Sequence, residues 1–482
     1  MEDLDFGFNE VSDSRLAGYL KRYCVRKNVG NEKISGLVKC GSRIIPTGRQ
    51  PAVFLVASGE GNDAQSMYTG LARCHSPWAC PHCTPRVMAQ KGTDIACAID
   101  ALSTWYNQSA MMITFTLPHN FAMGAEDSFK ILKKTWREFT HRGNGRGEKK
   151  YVLKTTAGED KRARNDENAK AGDVVTYQLT VHDAYACFRR DLGIRHYVKV
   201  YEFTYGENGW HPHIHALFWC PNENWKRIND YADRLLDSWW ESAKKCALIY
   251  WNKIRPDSKE ENKKFVEEQY SEWRKYPKDG HRAVYISVDS KGRPIKQKSS
   301  SYISGWSADS ELTSIDVKKT KQSGHYTPFQ LVEMSMKNAA VEDKWMSIFL
   351  DYAIATRASR RVEFSHHSGI GKIVRKWKQT EKYAEFLKKK VMDKAKNPWK
   401  VVCWFTSEQW SQICYLDLFL DHEIQWTLLK MARAPDAFDK IYAFLKLFEI
   451  DIMNGKHPLE ESVANNLFTS KDDVVVDSEI SA

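Results

Sequence analysis

No apolar run in this sequence is long enough to cross a bilayer, and no hydrophobic segment opens it as a secretory leader would. Both absences lead to the expectation of a cytoplasmic protein without a membrane partner. An acidic surplus is missing too: 72 lysines and arginines stand against 61 aspartates and glutamates, a formal charge of +11. A cationic surface of that size favours polyanions such as DNA. In a reducing compartment the eleven cysteines are expected as thiols or metal-bound thiolates, not disulfides. With 482 residues the chain is too long for one ordinary hydrophobic core, so two or three domains are expected.

What is present is concentrated in His211-Pro-His-Ile-His-Ala-Leu-Phe218. Side chains alternate across a β-strand, so His211, His213 and His215 share one face if this run is extended. Upstream, Tyr197-Val-Lys-Val-Tyr-Glu-Phe-Thr204 also reads as a strand, and the intervening Asn208-Gly209 pair predicts a two-residue hairpin turn. With Asn208 and Gly209 at the centre of that turn, Glu202 falls opposite His215 and diagonal to His213. Two imidazoles and a carboxylate beside an open coordination position suit divalent-metal Lewis-acid chemistry, often on a phosphodiester. Tight zinc binding without catalysis is the competing use of the same donors.

Glu202-Phe-Thr-Tyr-Gly-Glu-Asn-Gly-Trp-His-Pro-His-Ile-His-Ala-Leu217 resembles the second motif of the plasmid rolling-circle replication initiator (Rep) proteins, members of the HUH endonuclease superfamily. The resemblance implies that His213 and His215 hold Mg2+ or Mn2+ with Glu202 as third ligand, leaving His211 as a neighbour. Met111-Met-Ile-Thr-Phe-Thr-Leu-Pro-His119 is similar to the first motif of that family. Ser301-Tyr-Ile-Ser-Gly-Trp306, followed by Glu311-Leu312 and Thr327-Pro-Phe-Gln-Leu331, resembles the surroundings of its nucleophilic tyrosine, which implies that Tyr302 is the nucleophile. The sequence departs from the family at two points. Gly305 stands where a lysine commonly follows the tyrosine, and Lys298 and Ser299 stand where a glutamate often precedes it. The first departure leaves substrate positioning open, the second the route of termination.

A second metal signal lies in Cys74-His-Ser-Pro-Trp-Ala-Cys80-Pro-His-Cys83, a Cys-x-x-Cys knuckle with a third cysteine six residues before it. Cys40 offers a fourth soft ligand, with His75, His82 and Cys24 as alternatives to it. Such a set suits structural Zn2+, and the segment is similar to the region before the first motif of the same Rep proteins. A group of buried thiols or a redox pair would leave the same spacing.

The expected organisation follows. Residues 1–100 form a zinc-stabilised N-terminal region, with a helix from Arg86 to Leu102; residues 101–335 form the nicking domain; residues 336–482 form a mainly helical C-terminal region. Lys154 to Gly172 reads as a polar insertion, and Trp225, Ile228, Ala232, Leu235 and Trp239 recur at helical spacing. The charged stretch Lys253 to Arg282 precedes an alternating strand, Ala283 to Val288. Val341 to Tyr352, Trp410 to Leu420 and Phe438 to Phe448 carry helical apolar stripes. Residues 371–400 hold eleven lysines and arginines against three acids, the best electrostatic candidate for duplex contact. Asp472 to Glu479 reads as a disordered acidic tail.

The resemblance therefore implies an α+β fold with an HUH-type central antiparallel sheet flanked by helices. It implies an enzyme that initiates rolling-circle replication by nicking one strand of single- or double-stranded origin DNA, aided by a host helicase and polymerase. An HUH transposase and a DNA-binding replication regulator without catalysis are the alternatives.

Overall fold

The computed structural model describes residues 10–29, 34–45, 51–59, 64–119, 123–141, 150–156, 174–180, 183–274, 283–287, 324–337, 339–365, 369–385, 399–420 and 423–452. Helices α1 (Glu10–Arg26) and α2 (Ser35–Lys39) precede strands β1 (Val53–Ser58) and β2 (Gln65–Thr69). Then come α3 (Cys83–Tyr106), β3 (Gln108–Thr116), α4 (Ala125–His141), the hairpin β4 (Lys150–Thr156) and β5 (Val174–Thr180), and α5 (Asp183–Asp191). Strands β6 (His196–Gly206) and β7 (Gly209–Pro221) lead to α6 (Ala232–Ile254) and α7 (Lys259–Arg274), and the later strands are β8 (Val284–Ile286), β9 (Val362–Phe364) and β10 (Lys400–Phe405). The fold is α+β with antiparallel sheets, as expected. Among the described residues no helix is long and apolar enough to cross a membrane.

The chain divides into two compact units, one of residues 1–98, 301–361 and 372–482, the other of residues 99–300 and 362–371. In the first unit a three-stranded sheet runs in the order β10-β1-β2. β1 is the apolar run Val53-Phe-Leu-Val-Ala57 because it is covered on both sides. Val53 and Leu55 pack with Trp410, Ile413, Leu428 and Ile441, while Phe54 and Val56 pack with Met67, Val401 and Trp404. The helix Ser407–Phe419 starts where Thr406 and Gln409 cap each other, Thr406 Oγ1 accepting from Gln409 N at 3.3 Å and Gln409 Oε1 from Thr406 N at 2.7 Å.

The second unit is built on a five-stranded sheet in the order β8-β3-β7-β6-β9. Cross-strand neighbours Phe115, Ile214 and Tyr201 mark its apolar face, since residues paired across strands point the same way. The Phe115 ring lies 5.0 Å from Trp239 of α6 and 5.4 Å from Trp136 of α4, and Trp239 Nε1 donates to Thr116 O at 2.7 Å. Burying aromatics of this size contributes about 3–5 kcal/mol each on truncation scales. The opposite face is polar at one end, where it carries Thr114, Thr116, Glu202, His213 and His215.

Several expectations shift by small amounts. The hairpin turn is centred on Glu207 and Asn208, not on Asn208 and Gly209, because Gly206 pairs with Gly209. Gly209 alone takes the left-handed conformation, at φ 84°, so the local geometry is that of a type I turn closed by glycine and not a type I′ turn. Moving the turn by one residue moves the pairing by two, so Glu202 faces His213 directly while keeping its face. Helix α3 brackets the expected Arg86 to Leu102, and a 3-10 turn, Trp225–Tyr231, precedes α6. Lys154 to Thr156, expected in a polar insertion, end β4, and residues 157–172 lie outside the described residues. Half of the charged stretch from Lys253 to Arg282 is the helix α7, and the C-terminal region contributes the strand β10 beside its helices. The acidic tail, Asp472 to Glu479, lies outside the described residues.

Asp417, on the helix Ser407–Phe419, is buried and accepts the backbone N–H groups of Ile424 at 2.5 Å and Gln425 at 3.0 Å, closing the start of the helix Ile424–Met431. Burial pushes its carboxyl up to about 6, against the lowering effect of those N–H groups and of Arg22 and Lys21. The native state therefore binds more protons than the unfolded chain between about pH 4 and 6, and this group's contribution to stability is lost as pH rises through about 6. Denaturant titrations should show wild type losing about 1–3 kcal/mol more between pH 4.5 and 7 than Asp417→Asn does. Equal losses in the two proteins would place the titration elsewhere.

Candidate functional site

Glu202 on β6 and His213 and His215 on β7 meet on the polar face of the second unit's sheet, their ligand atoms within 4.8 Å of one another. Both imidazole Nε2 atoms point at one carboxylate oxygen: His215 Nε2 lies 2.5 Å from Glu202 Oε2, and His213 Nε2 bonds the same oxygen. β7 is the central strand of five, flanked by β3 and β6, so each side chain is fixed by ladders on two sides.

Burial alone would raise the pKa of Glu202. The charge and hydrogen bond of His213, with those of His215, outweigh it and hold the carboxyl well below the usual carboxylate range. Glu202 is thus an ionised group inside the fold, a placement that costs several kcal/mol unless positive charge or strong donors surround it. Thr114 Oγ1, on β3, lies 3.0 Å from His215 Nδ1 and orients that ring with Nε2 toward the carboxylate. Two imidazole nitrogens and one carboxylate oxygen fit a divalent first-row cation or Mg2+.

His211 is set apart from this group. Its ring stacks on His119 at 4.4 Å and meets His213 edge-on at 5.3 Å. Thr114 and His119 belong to the segment Met111 to His119, where sequence reasoning singled out the strand but neither side chain. The alternation of β3 would have put Thr114 and Thr116 on the histidine face once the pairing was known.

The first unit holds a second donor group. Cys40, Cys74, Cys80 and Cys83 converge, with sulfur separations of 3.5 Å for Cys40–Cys83, 3.6 Å for Cys40–Cys80 and 3.7 Å for Cys74–Cys83. Four sulfurs about 2.3 Å from a central zinc would stand about 3.8 Å apart, so the donor set fits a closed tetrahedral site. The knuckle is a turn in which Cys83 N and Thr84 N both donate to Cys80 O. The Cys40 loop is tied to the Cys74 loop by Gly41 N to Ala72 O and Ala72 N to Arg43 O, each 2.8 Å. Lys21 Nζ donates to the Cys40 carbonyl. Hydrogen bonds from Cys74, Cys80 and Cys83 pull the Cys40 thiol far below its ordinary value. Of the alternatives, His75 is exposed, and Cys24 is a buried thiol that burial pushes up to about 12.

Tyr302 lies outside the described residues, as do Gly305, Lys298 and Ser299. In the basic stretch 371–400, a helix Ile370–Trp377 is described, and residues 386–398 are not.

Among curated proteins similar to this chain is the "Protein rep" of Streptomyces lividans, 24% identical over 328 residues that cover 63% of this chain and 64% of that protein. The "Neomycin resistance protein" of Streptomyces cyanogenus is 28% identical over 154 residues, 31% of this chain and 30% of its own length. The chain thus matches less than two thirds of either relative. No protein-family model matches the chain, and no solved structure matches it.

Elemental analysis of the purified protein should find about one tightly held zinc per chain, the number a single four-thiolate site takes. Cys83→Ser should lower that content at least about tenfold and Cys24→Ser should leave it unchanged. Full zinc retention in Cys83→Ser would rule the cluster out as the site.

Proposed function

We propose that this chain is a plasmid-type replication protein that nicks one DNA strand through a metal-assisted tyrosine. The observation that carries the reading is the convergence of Glu202, His213 and His215 on one face of a sheet. The similarity to a protein named for replication and the cationic charge support DNA as the substrate.

In this reading the phenolic oxygen of Tyr302 attacks the scissile phosphorus. An oxygen–phosphorus bond to tyrosine forms as the bond to the 3′ oxygen breaks; the phenol loses its proton to solvent or a nearby base, and the leaving 3′ oxygen takes one up. A phenol with an ordinary pKa of about 10 is a poor nucleophile at neutral pH. A divalent cation, when bound, supplies the charge that draws electron density from the phosphate oxygens. Glu202 and the two imidazoles contribute by presenting three fixed ligand atoms on a rigid sheet, with Thr114 orienting His215. The phosphotyrosine conserves the energy of the broken linkage, so the same bond can later be resealed. The freed 3′ hydroxyl is what a host polymerase extends, and opening the duplex ahead of it falls to a helicase. The four cysteines, loaded with zinc, would hold the first unit's loops together and take no part in the chemistry.

Incubating the protein with labelled single-stranded DNA from its own replication origin and Mn2+ should give a protein–DNA adduct that survives a denaturing gel. Tyr302→Phe should abolish it, and His213→Ala or His215→Ala should cut its rate at least about a hundredfold. An undiminished adduct in Tyr302→Phe would remove that residue as nucleophile. A protein that binds the origin duplex but yields no adduct would be a replication regulator.

A further inference from the structure

Among the described residues, the sheet face that carries Glu202, His213 and His215 also carries an exposed aromatic side chain that neither the core nor the proposed chemistry uses. Tyr285 is the middle residue of the edge strand β8, between the buried Val284 and Ile286, and is 41% exposed. It pairs with Thr114, which pairs in turn with His215, so Tyr285, Thr114 and His215 lie in one row across β8, β3 and β7 and point the same way. The hydrogen bond between Thr114 and His215 fixes which face that is. Two strand spacings put the Tyr285 backbone roughly 10 Å from that of His215.

An aromatic ring on a strand is ordinarily a packing residue. The remaining aromatics of the five strands obey that rule, being buried or half-buried among the described residues, as Phe115, Tyr201, Phe203 and Phe218 are. Tyr285 does not, although its strand is tied to β3 at both ends. Thr116 N donates to Ala283 O at 2.8 Å and Ser287 N to Met112 O at 3.1 Å. A strand-mounted, half-uncovered ring beside a candidate metal centre has the attributes of a stacking platform, and base–aromatic stacking is indifferent to sequence because every base has a π-face.

Resting on the nicking reading above, we infer that Tyr285 stacks on a base of the bound single strand next to the nucleotide whose phosphate reaches Glu202, His213 and His215. The ring supplies affinity and fixes the strand on the sheet. Its hydroxyl takes no part in the chemistry. Gly305 occupies the position where related proteins commonly carry a positioning lysine, so a contact of this kind would provide positioning from another element.

Fluorescence anisotropy with a labelled oligo-dT strand and an abasic strand of equal length tests this, both in the presence of Mn2+. Tyr285→Ala should weaken oligo-dT binding about tenfold, while Tyr285→Phe should stay within about twofold of wild type. The abasic strand should bind wild type and Tyr285→Ala alike. Oligo-dT binding by Tyr285→Ala at wild-type strength would overturn the inference, as would an equal loss on the abasic strand. Loss of the covalent adduct in Tyr285→Phe with binding intact would also overturn it, by making the hydroxyl a reactant. If wild type forms the adduct and Tyr285→Ala binds normally, this inference alone fails. If wild type neither binds single strands nor forms an adduct, the nicking reading fails and takes the inference with it.

Discussion

The second unit is organised around a carboxylate in a place where carboxylates are costly. Glu202 is buried on an inner strand of a sheet whose other face is an aromatic core, and its charge is sustained by two imidazoles. That compensation requires His213 directly across the ladder and His215 one pair along it. The hairpin register, the extension of β7 to thirteen residues and the flanking β3 serve this requirement together. The aromatic layer under the sheet contributes rigidity, since Phe115, Trp136, Phe139 and Trp239 interlock beneath the strand that carries Thr114. A site of this kind is stabilised by packing it does not touch.

The four-cysteine group solves a different problem. The loops around Cys40 and Cys74 bury Leu37, Leu71 and Trp78, and short backbone ties hold them near each other. Convergent thiols at tetrahedral spacing would add to those ties a cross-link through a bound metal. The two candidate metal groups differ accordingly in exposure and in donor type. All-sulfur ligation with no open position favours permanence, and mixed nitrogen and oxygen ligation on a sheet face favours exchange with a substrate.

Much of this was legible in the sequence because it was local. A period of two through His211, His213 and His215 needs nothing beyond strand alternation to place the rings together, and Cys80 and Cys83 announce a knuckle by spacing alone. The turn was legible but misplaced by one residue, since Asn-Gly suits two turn types that differ in which residue takes the left-handed conformation. Other features had no local signature. Cys40 could be separated from Cys24, His75 and His82 only by the loop pairing of Gly41 with Ala72. Tyr285 is an ordinary residue in an alternating strand until its row with Thr114 and His215 is known. The run Lys400-Val-Val-Cys-Trp-Phe405 is too short to distinguish a strand from a helix fragment, and its partner lies far away in the sequence.

That last pairing carries a consequence for biogenesis. β1 lies in the middle of the first unit's sheet, yet β10, which completes one of its edges, is made roughly 350 residues later. On the ribosome, β3, β6, β7 and β8 of the second unit emerge and can assemble while β1 still exposes the apolar edge Val53-Phe-Leu-Val-Ala57. During that interval the nascent chain carries a sheet strand with one unpaired apolar edge, which only the synthesis of β10 covers.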